Sequence, residues 1–476
     1  MSEVRPYRLL NAVENGTVLG PELNTILGDA GRLAEWTVLY AQRGQAKRIS
    51  NGATTMLAIT NSLIATNAAF LQATATNDTI VVAVAKSAIA MAAVSDVSSV
   101  LQTVSGNPTA WGYFYGSDFY ESHIKKIIAH LSGIDPSVYA STNLLITDPV
   151  SMGDISVSEQ GMRALVNSLP SATIMAGSSV AMPLVAANSI AINLVAQQTN
   201  IMSAIAASTT AMSNIVSYSV AMNAMSINAG AIQAIGANAA AWTSFKSSAH
   251  FSNNLKEVIA NLAGLIPSDY ASIDAIIANE VALTAVAASA QASDALSTSS
   301  AATTTLASSP NLSIILGSAV SMTYYGTEAN IQAFLTVPAA VPVVFGSSVA
   351  KAVIVASDTL MDFIAATSSI TSYLGTIAAT AIPSNLNAVG TNNVFGGFPD
   401  KFIILSIRAN NIGAIAMTFT LAGSPLAGTS YGNVISASGT VTASVALGLS
   451  NPATWKASGI AATAAASPET TYVDMT

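Results

Sequence analysis

Residues able to do acid–base, nucleophilic or metal chemistry are few in this 476-residue chain and stand far apart. His123 and His130 are seven residues apart, whereas two histidines that hold zinc on one helix are spaced about four apart. The chain contains no cysteine, which excludes thiol catalysis, cysteine–metal sites and disulfide bonds. We therefore predict a protein that is not an enzyme, with no catalytic, metal or cofactor-binding residues.

The densest group of aromatic side chains lies between residues 111 and 120. Exposed aromatic rings can stack on the faces of sugar rings. Four members of this group are therefore candidate glycan-stacking residues: Trp111, Tyr113, Tyr115 and Tyr120. The alternative interpretation is a plug that buries the last apolar face of a repeat array. Trp242 and Phe245 repeat Trp111 and Phe114 at an offset of 131 residues, which favours the plug.

Asp118 and Glu121 form an acidic pair beside these aromatic residues. Paired carboxylates are the groups that cleave glycosidic bonds. The duplicated segment, however, has Ala249 and Ser252 at the corresponding positions. We interpret the pair as two solvated surface acids.

The elements that position these residues are ten-residue units, which are most regular between residues 178 and 245. One apolar position recurs once per unit: Met182, Ile192, Met202, Met212, Met222, Ile232 and Trp242. Another apolar residue follows three positions later. Each unit begins with Ser, Asn, Gln or Tyr, and Ser and Asn favour helix N-caps. A fixed period with one unit of secondary structure per repeat is typical of a solenoid.

A period of ten residues does not fit one continuous helix. At about 100° per residue, the apolar position would rotate by about 80° from unit to unit, and coiled coils need repeats near seven or eleven. The spacing instead predicts a two-turn helix followed by a turn, with the Met and Ile positions stacked in one ladder. A β-solenoid with two five-residue sides per unit is the alternative.

The chain also contains a longer duplication. Residues 124–141 match residues 255–272, and in both segments the apolar residues fall at helical spacing. The pattern predicts helices over 122–132 and 253–263, with Gly133 and Gly264 at the position that follows a helix end. Two superimposable modules are expected, with Trp111 and Trp242 in equivalent places.

These patterns predict a mainly α fold, a duplicated decapeptide-repeat solenoid of short helices, with a small C-terminal all-β domain. Residues 1–50, with 11 of the 40 charged residues, are interpreted as an N-terminal attachment or oligomerisation module, or else as a cap on the solenoid. The remaining predicted domains are a first repeat array (51–121), a helical insert (122–170), a second array (171–252), a second insert (253–310), a looser third array (311–389) and the β domain (390–476).

The amino-acid composition limits the kinds of partner that the chain can bind. Only 8% of the residues are charged, and none is charged from residue 164 to 245. Ser, Thr and Asn interrupt every apolar run before the roughly 18 residues that span a membrane, so we expect no membrane insertion. The thinly spread net charge of −8 disfavours nucleic acid. The first residues lack the apolar core of a signal peptide, which predicts assembly in a cytoplasm.

Units such as Ser208-Thr-Thr-Ala-Met212 and Ser219-Val-Ala-Met222, behind a charged N-terminal module, resemble the Ala/Met/Ser-rich repeats of tailed-bacteriophage tail fibre and appendage proteins. The resemblance covers residues 15–300. It implies a homotrimeric virion structural protein, assembled in the host cytoplasm, that attaches at one end to other tail or baseplate proteins. The C-terminal domain would then meet the host surface, with a surface glycan as a candidate ligand. A bacterial surface adhesin or filament subunit is the alternative, and a tailspike-type glycan depolymerase is the third hypothesis.

Overall fold

The computed structural model describes residues 4–18, 20–52, 77–355, 357, 359–360, 363–364 and 367–377, and the backbone of nine strands between residues 379 and 474. The chain divides into two compact units, Met1–Asn254 and Leu255–Thr476. Residues 53–76 of the predicted first array lie outside the described residues, as do residues 390–391 and 395–400 of the predicted β domain.

Helices form nearly all of the described part of the first unit. Four belong to the N-terminal module: α1 (Val4–Glu14), α2 (Gly20–Leu27), α3 (Ala30–Tyr40) and α4 (Arg43–Asn51). The next eight are α5 (Asp78–Ala85), α6 (Ala88–Ser95), α7 (Ser98–Ser105), α8 (Pro108–Tyr115), α9 (Tyr120–Leu131), α10 (Thr142–Thr147), α11 (Pro149–Val157) and α12 (Glu159–Asn167). The last eight are α13 (Leu169–Gly177), α14 (Ala181–Ala187), α15 (Ser189–Ala196), α16 (Thr199–Ala207), α17 (Thr209–Ile215), α18 (Ser219–Ile227), α19 (Ala229–Ala237) and α20 (Ala239–Lys246).

The second unit begins with further short helices and ends in strands. The helices are α21 (Leu255–Leu262), α22 (Ile273–Ala278), α23 (Glu280–Ala288), α24 (Ala290–Ser297), α25 (Ser300–Ala307), α26 (Leu312–Gly317), α27 (Ala319–Tyr325), α28 (Glu328–Leu335), α29 (Val341–Gly346), α30 (Ser348–Val355) and α31 (Ser368–Ile377). Two 3-10 turns, Ser252–Asn254 and Pro267–Asp269, flank α21 in sequence.

The helices begin where the sequence places a capping residue. Asn188 and Ser208 accept hydrogen bonds from backbone N–H groups in the first turns of α15 and α17, and so satisfy donors that have no partner inside the helix. Gln198 and Tyr218 make no such bond, yet α16 and α18 still form. Their apolar faces, buried against other helices, are therefore sufficient to hold them.

The predicted helical units are confirmed in the described residues, and the β-solenoid alternative is wrong there. The Met and Ile position of every unit from Met182 to Ile232 is at most 2% exposed, and the alanine or isoleucine before it is fully buried. Apolar residues at i, i+1 and i+4 share one face of a helix but would alternate between the faces of a strand. Pro183 is tolerated because it lies in the first turn of α14, where it breaks no helical hydrogen bond.

The prediction of one ladder is wrong, because every third helix stacks. In the first unit α14 packs against α17, α15 against α18 and α16 against α19. The chain turns by 96° between α13 and α14 and by 104° between α6 and α7, so three successive helices complete one layer. The Met and Ile positions therefore form three ladders that face a shared core.

Serine side chains join successive layers. The Ser208 hydroxyl accepts from Ala211 N at the start of α17 and donates to the carbonyl oxygen of Ala176 in α13, at 2.5 Å. Ser318 and Ser347 in the second unit each make the same pair of contacts, capping one helix and donating to a carbonyl near the end of an earlier one. One hydroxyl thus satisfies a free N–H and a free C=O, the two groups that helix ends leave without partners.

The N-terminal module packs on the first repeat helices that the structure describes. Helix α4 contacts α5 and α6, and the Ser87 hydroxyl donates to the carbonyl oxygen of Ser50 at 2.6 Å. Helix α2 begins at Gly20, with Pro21 and Glu22 in its first turn, and ends at Leu27, after which Asp29 caps the next helix, α3. These contacts join the module to the repeats. The predicted attachment role of residues 1–50 stays a prediction.

The division into arrays and inserts also stays a prediction. One column of stacked helices, α6, α9, α12, α15 and α18, continues from the first array through the first insert into the second array. The repeat geometry is therefore preserved in this column across residues 122–170.

The C-terminal strands pair into two sheets. The strands are β1 (Ala379–Ala381), β2 (Asn392–Val394), β3 (Lys401–Asn411), β4 (Met417–Ala422), β5 (Pro425–Ala427), β6 (Gly432–Ile435), β7 (Gly439–Ser450), β8 (Thr454–Ser458) and β9 (Ala465–Asp474). The strand orders are β1-β9-β3-β7-β5 and β2-β8-β4-β6, with antiparallel pairing throughout the described ladders. Only the backbone is described here, so a compact β domain stays a prediction.

Candidate functional site

The aromatic residues at the end of the first array form a buried three-ring cluster. Trp111 stacks on Phe114 with ring centroids 5.7 Å apart, because the two residues lie one helical turn apart in α8. Tyr120, the first residue of α9, meets both rings edge-on at 6.0 and 6.2 Å. Edge-to-face and offset-stacked contacts are the favoured arrangements of aromatic side chains. The cluster therefore joins the end of the array to the helix that follows it.

The duplicated segment builds the same cluster. Trp242 stacks on Phe245 at 6.3 Å, and Phe251 meets both rings edge-on at 6.0 Å. Each residue stands 131 positions after its counterpart, which matches the predicted equivalence of Trp111 and Trp242. Lys246 also places its ammonium nitrogen 5.6 Å from the centre of the Trp242 ring.

The structure separates the four candidate glycan-stacking residues into two pairs. Trp111 and Tyr120 are 3% and 1% exposed, so their ring faces are occupied by protein and cannot also receive a sugar. Tyr113 and Tyr115 are 43% and 42% exposed. Any stacking surface is therefore reduced to these two tyrosines, while the buried pair acts as the plug.

His123 and His130 lie together with charged residues on one face of α9 but form no metal site. Lys126, between His123 and His130 in sequence, pairs with Asp96 at 2.5 Å. Partial burial, together with the charge of Lys126, lowers the pKa of His123, and partial burial also lowers the pKa of His130. Both are therefore neutral at physiological pH. No group of three or more His, Cys, Asp or Glu side chains able to hold a metal occurs among the described residues.

One sequence match to a nucleophile motif belongs to the C-terminal region. Gly428-Thr-Ser-Tyr-Gly432 fits the Gly-x-Ser-x-Gly pattern of the serine hydrolases. In those enzymes the motif joins a strand to a helix, whereas here its last residue begins strand β6. Residues 428–431 lie outside the described residues, and the sequence context lacks the helix that the elbow needs.

The N-terminal module contains an open cavity of about 210 Å³ between α1 and the start of α3. Its lining combines apolar and charged side chains: Pro6, Leu9, Asp29, Gly31, Arg32, Glu35 and Trp36. Trp36 is fully buried, and its indole nitrogen has no hydrogen-bond partner among the described residues. Concave surfaces with apolar walls and a few polar groups are the usual form of binding sites.

The sequence pattern of residues 1–50 did not predict this cavity. The charged residues Asp29, Arg32 and Glu35 were visible only as part of a charged segment. They come together because Asp29 ends the break between two helices and its side chain accepts from Arg32 N at 2.9 Å. A helix break at Gly28 followed by an N-cap residue was the available signal, since it fixes where α3 begins.

Comparisons with known proteins give no family. No protein-family model matches the sequence, and no curated protein matches it either. Within the described residues no single helix is long and apolar enough to cross a membrane, although two sharply bent helix pairs would qualify by length and composition alone.

Proposed function

We propose that this chain is a virion structural protein, a tail fibre or other appendage of a tailed bacteriophage. In this proposal the N-terminal module attaches to other tail or baseplate proteins, and the C-terminal β domain meets the host surface. The chain is made and assembled in the host cytoplasm and acts as a structural and binding protein, not an enzyme.

The stacked repeats are the observation that carries the proposal. In the first unit, three helices complete each layer and neighbouring layers share a continuous apolar core. Further layers lengthen such a stack without changing its cross-section. This property suits a spacer between two functional ends. The two ends differ from the repeats: residues 1–50 concentrate charge, and the described residues after 378 form strands.

Self-association is part of the proposal, and a homotrimer is the form we favour. Ile190 and Val220 occupy the same position in the stacked helices α15 and α18 and are 47% and 38% exposed. They lie within the 82-residue stretch that has no charged residue. Charge on the surface is what keeps most proteins apart, so this neutral surface supports contact between copies.

Light scattering tests this association. The native chain should have three times the mass of one chain, and Ile190→Lys combined with Val220→Lys should lower that mass. Ser189→Lys is the matched control, because it adds charge beside the patch without removing an apolar contact. A monomeric native chain would contradict the homotrimer.

Two other functions remain as alternatives. A bacterial surface adhesin or filament subunit would use the same repeats as a spacer and the same C-terminal strands for binding. A tailspike-type depolymerase would need an acidic pair, for which Asp118 and Glu121 are the sequence candidates. In the structure Glu121 accepts a hydrogen bond from Ser168 at 2.8 Å, a contact that helps to hold α9 beside the start of α13. That contact gives Glu121 a structural role.

Particle assembly with altered chains tests the polarity. A chain that lacks residues 398–476 should enter particles but fail to adsorb to cells. Arg8→Glu combined with Lys47→Glu should reduce incorporation, because both residues are exposed on the N-terminal module. Lys86→Glu, an exposed change within the repeats, is the control. Normal adsorption of the truncated chain would refute the assigned polarity.

A further inference from the structure

Two histidines on α9 of the first module have no titratable counterpart in the second module. His123 and His130 are half-buried and share one face of the helix, because they are seven residues apart. The residues 131 positions later are Asn254 and Asn261, which are 8% and 4% exposed. Asparagine amides carry no charge at any physiological pH. These two positions therefore change their charge with pH in the first module and stay neutral in the second.

The charged neighbours of the histidines disfavour further positive charge. Lys126 lies between them in sequence and pairs with Asp96, the residue that follows α6, at 2.5 Å. The acid beside both histidines is therefore already paired. Asp135, the other acid near His130, is exposed, and its carboxylate accepts from the backbone N–H of Ser137 at 2.8 Å. Solvent weakens the attraction of such an exposed charge.

The other helices packed against α9 supply no unpaired acid to this face. These helices are α7, α10 and α12, and the first two contain no charged residue. In α12, Glu159 and Arg163 pair with each other at 2.5 Å. On α9 itself, Lys125 adds positive charge, and Glu121 precedes His123 by two residues, a spacing that does not bring side chains together on a helix.

Protonation of these histidines is therefore less favourable in the packed helix than in water. Partial burial is the main reason that the pKa of each is lowered, and the charge of Lys126 acts in the same direction. A released α9 takes up protons below the ordinary histidine pKa of about 6.5, whereas the packed helix does so only at lower pH. The stability of the packed form is thus complete above about pH 6.5 and is lost as the pH falls below this value.

The position of α9 gives this loss a structural consequence. Helix α9 packs between α6 and α12 in the column that continues from the first array into the second. Its release would interrupt that column. The second array offers no comparable group, because residues 164–245 contain neither a charged residue nor a histidine.

We propose that the face of α9 formed by His123, Lys126 and His130 is an acid-sensitive joint between the first and second repeat arrays. Below about pH 6.5 the two imidazoles take up protons and α9 is released from α6 and α12, while the second array stays packed. The proposal is independent of the proposed virion role, since it concerns the packing of one helix in the isolated chain.

Hydrogen exchange of the full chain at pH 7.5 and pH 5.5 tests the joint, with each rate corrected for the intrinsic effect of pH. The opening equilibrium of α9 is compared with that of α18, which lies in the same column but in the uncharged stretch. Ordinary carboxylates remain ionised at pH 5.5, so histidines are the groups that titrate between the two conditions.

The opening constant of α9 should rise roughly threefold or more between pH 7.5 and pH 5.5, and that of α18 should not change. The upper limit is about 100-fold, or tenfold for each histidine, if neither is protonated in the packed helix. The double variant His123→Asn with His130→Asn places the residues of the second copy at both positions and should abolish the rise.

Three results would overturn the proposal: a smaller rise in α9 of the native chain, an equal rise in α18, or an undiminished rise in the double variant. The comparison within the native chain needs no variant to fold. His123→Asn and His130→Asn are also made singly, and each should remove part of the rise. Two single variants that both keep the full rise would likewise exclude the histidines as its cause.

Discussion

The two copies of the duplicated segment share their helix-end and helix-capping contacts and differ in some of their other side-chain polar contacts. Gly133 and Gly264 both adopt a left-handed conformation, with φ of 74° and 72°, immediately after a helix. The next residue in each copy, Ile134 or Leu265, donates its N–H to the carbonyl five residues earlier at 2.8 Å. These are the bonds of a Schellman helix end, for which glycine is favoured.

Lysine and serine side chains repeat in the same way. Lys125 and Lys256 each donate to the carbonyl oxygen of a tyrosine fourteen residues later, at 2.7 and 3.2 Å. Ser158 and Ser289 each cap a helix and donate to the last carbonyl of the helix 27 residues before, at Leu131 and Leu262. All six of these hydrogen bonds satisfy backbone groups.

The two copies differ in side-chain polar groups that do not cap a helix end. Tyr120 donates its hydroxyl to the carbonyl oxygen of Ala164 at 2.9 Å, whereas its counterpart Phe251 has no hydroxyl. The first copy pairs Ser132 with Gly161, where the second has Ala263 and Ala292. The comparison teaches that the module depends on its aromatic cluster, helix ends and layer-joining serines, and that its other polar contacts can be exchanged.

The largest effect is expected from removal of the aromatic cluster. Trp111→Ala and Trp242→Ala should each destabilise the protein by about 3–5 kcal/mol, because each leaves a large cavity among packed rings. Native-state hydrogen exchange of the amides in α8 and α20 measures the two losses separately. Losses that differ by more than about 2 kcal/mol would show that the two clusters are not equivalent, since neighbouring packing alone produces a spread of this order.

The second-largest loss of stability is expected from a change at the Ser132–Gly161 pair. A Cβ atom at position 161 would lie 2.0 Å from the Ser132 hydroxyl oxygen, so Gly161→Ala should destabilise α12 by about 1–3 kcal/mol. Adding Ser132→Ala recreates the alanine pair of the second copy. The double variant should recover to within about 1 kcal/mol of the native stability, because alanine also favours the helix over glycine. Thermal unfolding compares the variants, and a double variant as unstable as the single one would rule out this clash as the cause.

Loss of a layer-joining serine should have the same effect in both copies. Ser158→Ala and Ser289→Ala should each cost about 1–2 kcal/mol, because each removes an N-cap and a hydrogen bond between layers. Asn188→Ala is the control, since Asn188 caps its own helix without joining layers, and should cost about 1 kcal/mol or less. Hydrogen exchange in α12, α24 and α15 measures these losses. Equal costs for all three variants would mean that the contact between layers adds nothing.

Tyr120→Phe makes the first cluster like the second. It removes one buried hydrogen bond to the Ala164 carbonyl, and the expected loss is about 0.5–1.5 kcal/mol. Urea unfolding at pH 8 measures it. Greater stability of the variant would show that the hydroxyl is unfavourable in this cluster.

The same variant reveals a pH dependence that only the first copy should have. Burial raises the pKa of Tyr120 well above its usual value, so the folded protein keeps a proton that the unfolded chain releases above about pH 10. Stability from the protonated tyrosine is therefore complete below pH 10 and is lost as pH rises further. Urea unfolding at pH 8 and pH 11 should show the advantage of the native chain over Tyr120→Phe shrinking. Tyr40, whose pKa burial raises to about 12, is present in both proteins and cancels.

Much of the fold could be predicted because its signals are local. The capping residues, the apolar positions of each unit and the glycines after α9 and α21 each act within a few residues of themselves. The candidate site was harder to predict from the sequence than the fold. Trp111 and Phe114 are buried while Tyr113 and Tyr115 are exposed. Tyr115, however, lies one turn after Trp111 with its ring 6.2 Å from the Trp111 ring, so helical spacing alone does not predict this division.

From the sequence alone it followed that the repeats are short units joined by turns and that the long segment is duplicated. A ten-residue period cannot keep one face of a continuous helix in contact with a core, so each unit must turn. Tertiary structure alone decided the angle of that turn. Bends of 96° and 104° close a layer after three helices, and so divide the predicted ladder into three. Tertiary structure also placed Trp36 beside an open cavity, because that position depends on packing between helices that are separate in sequence.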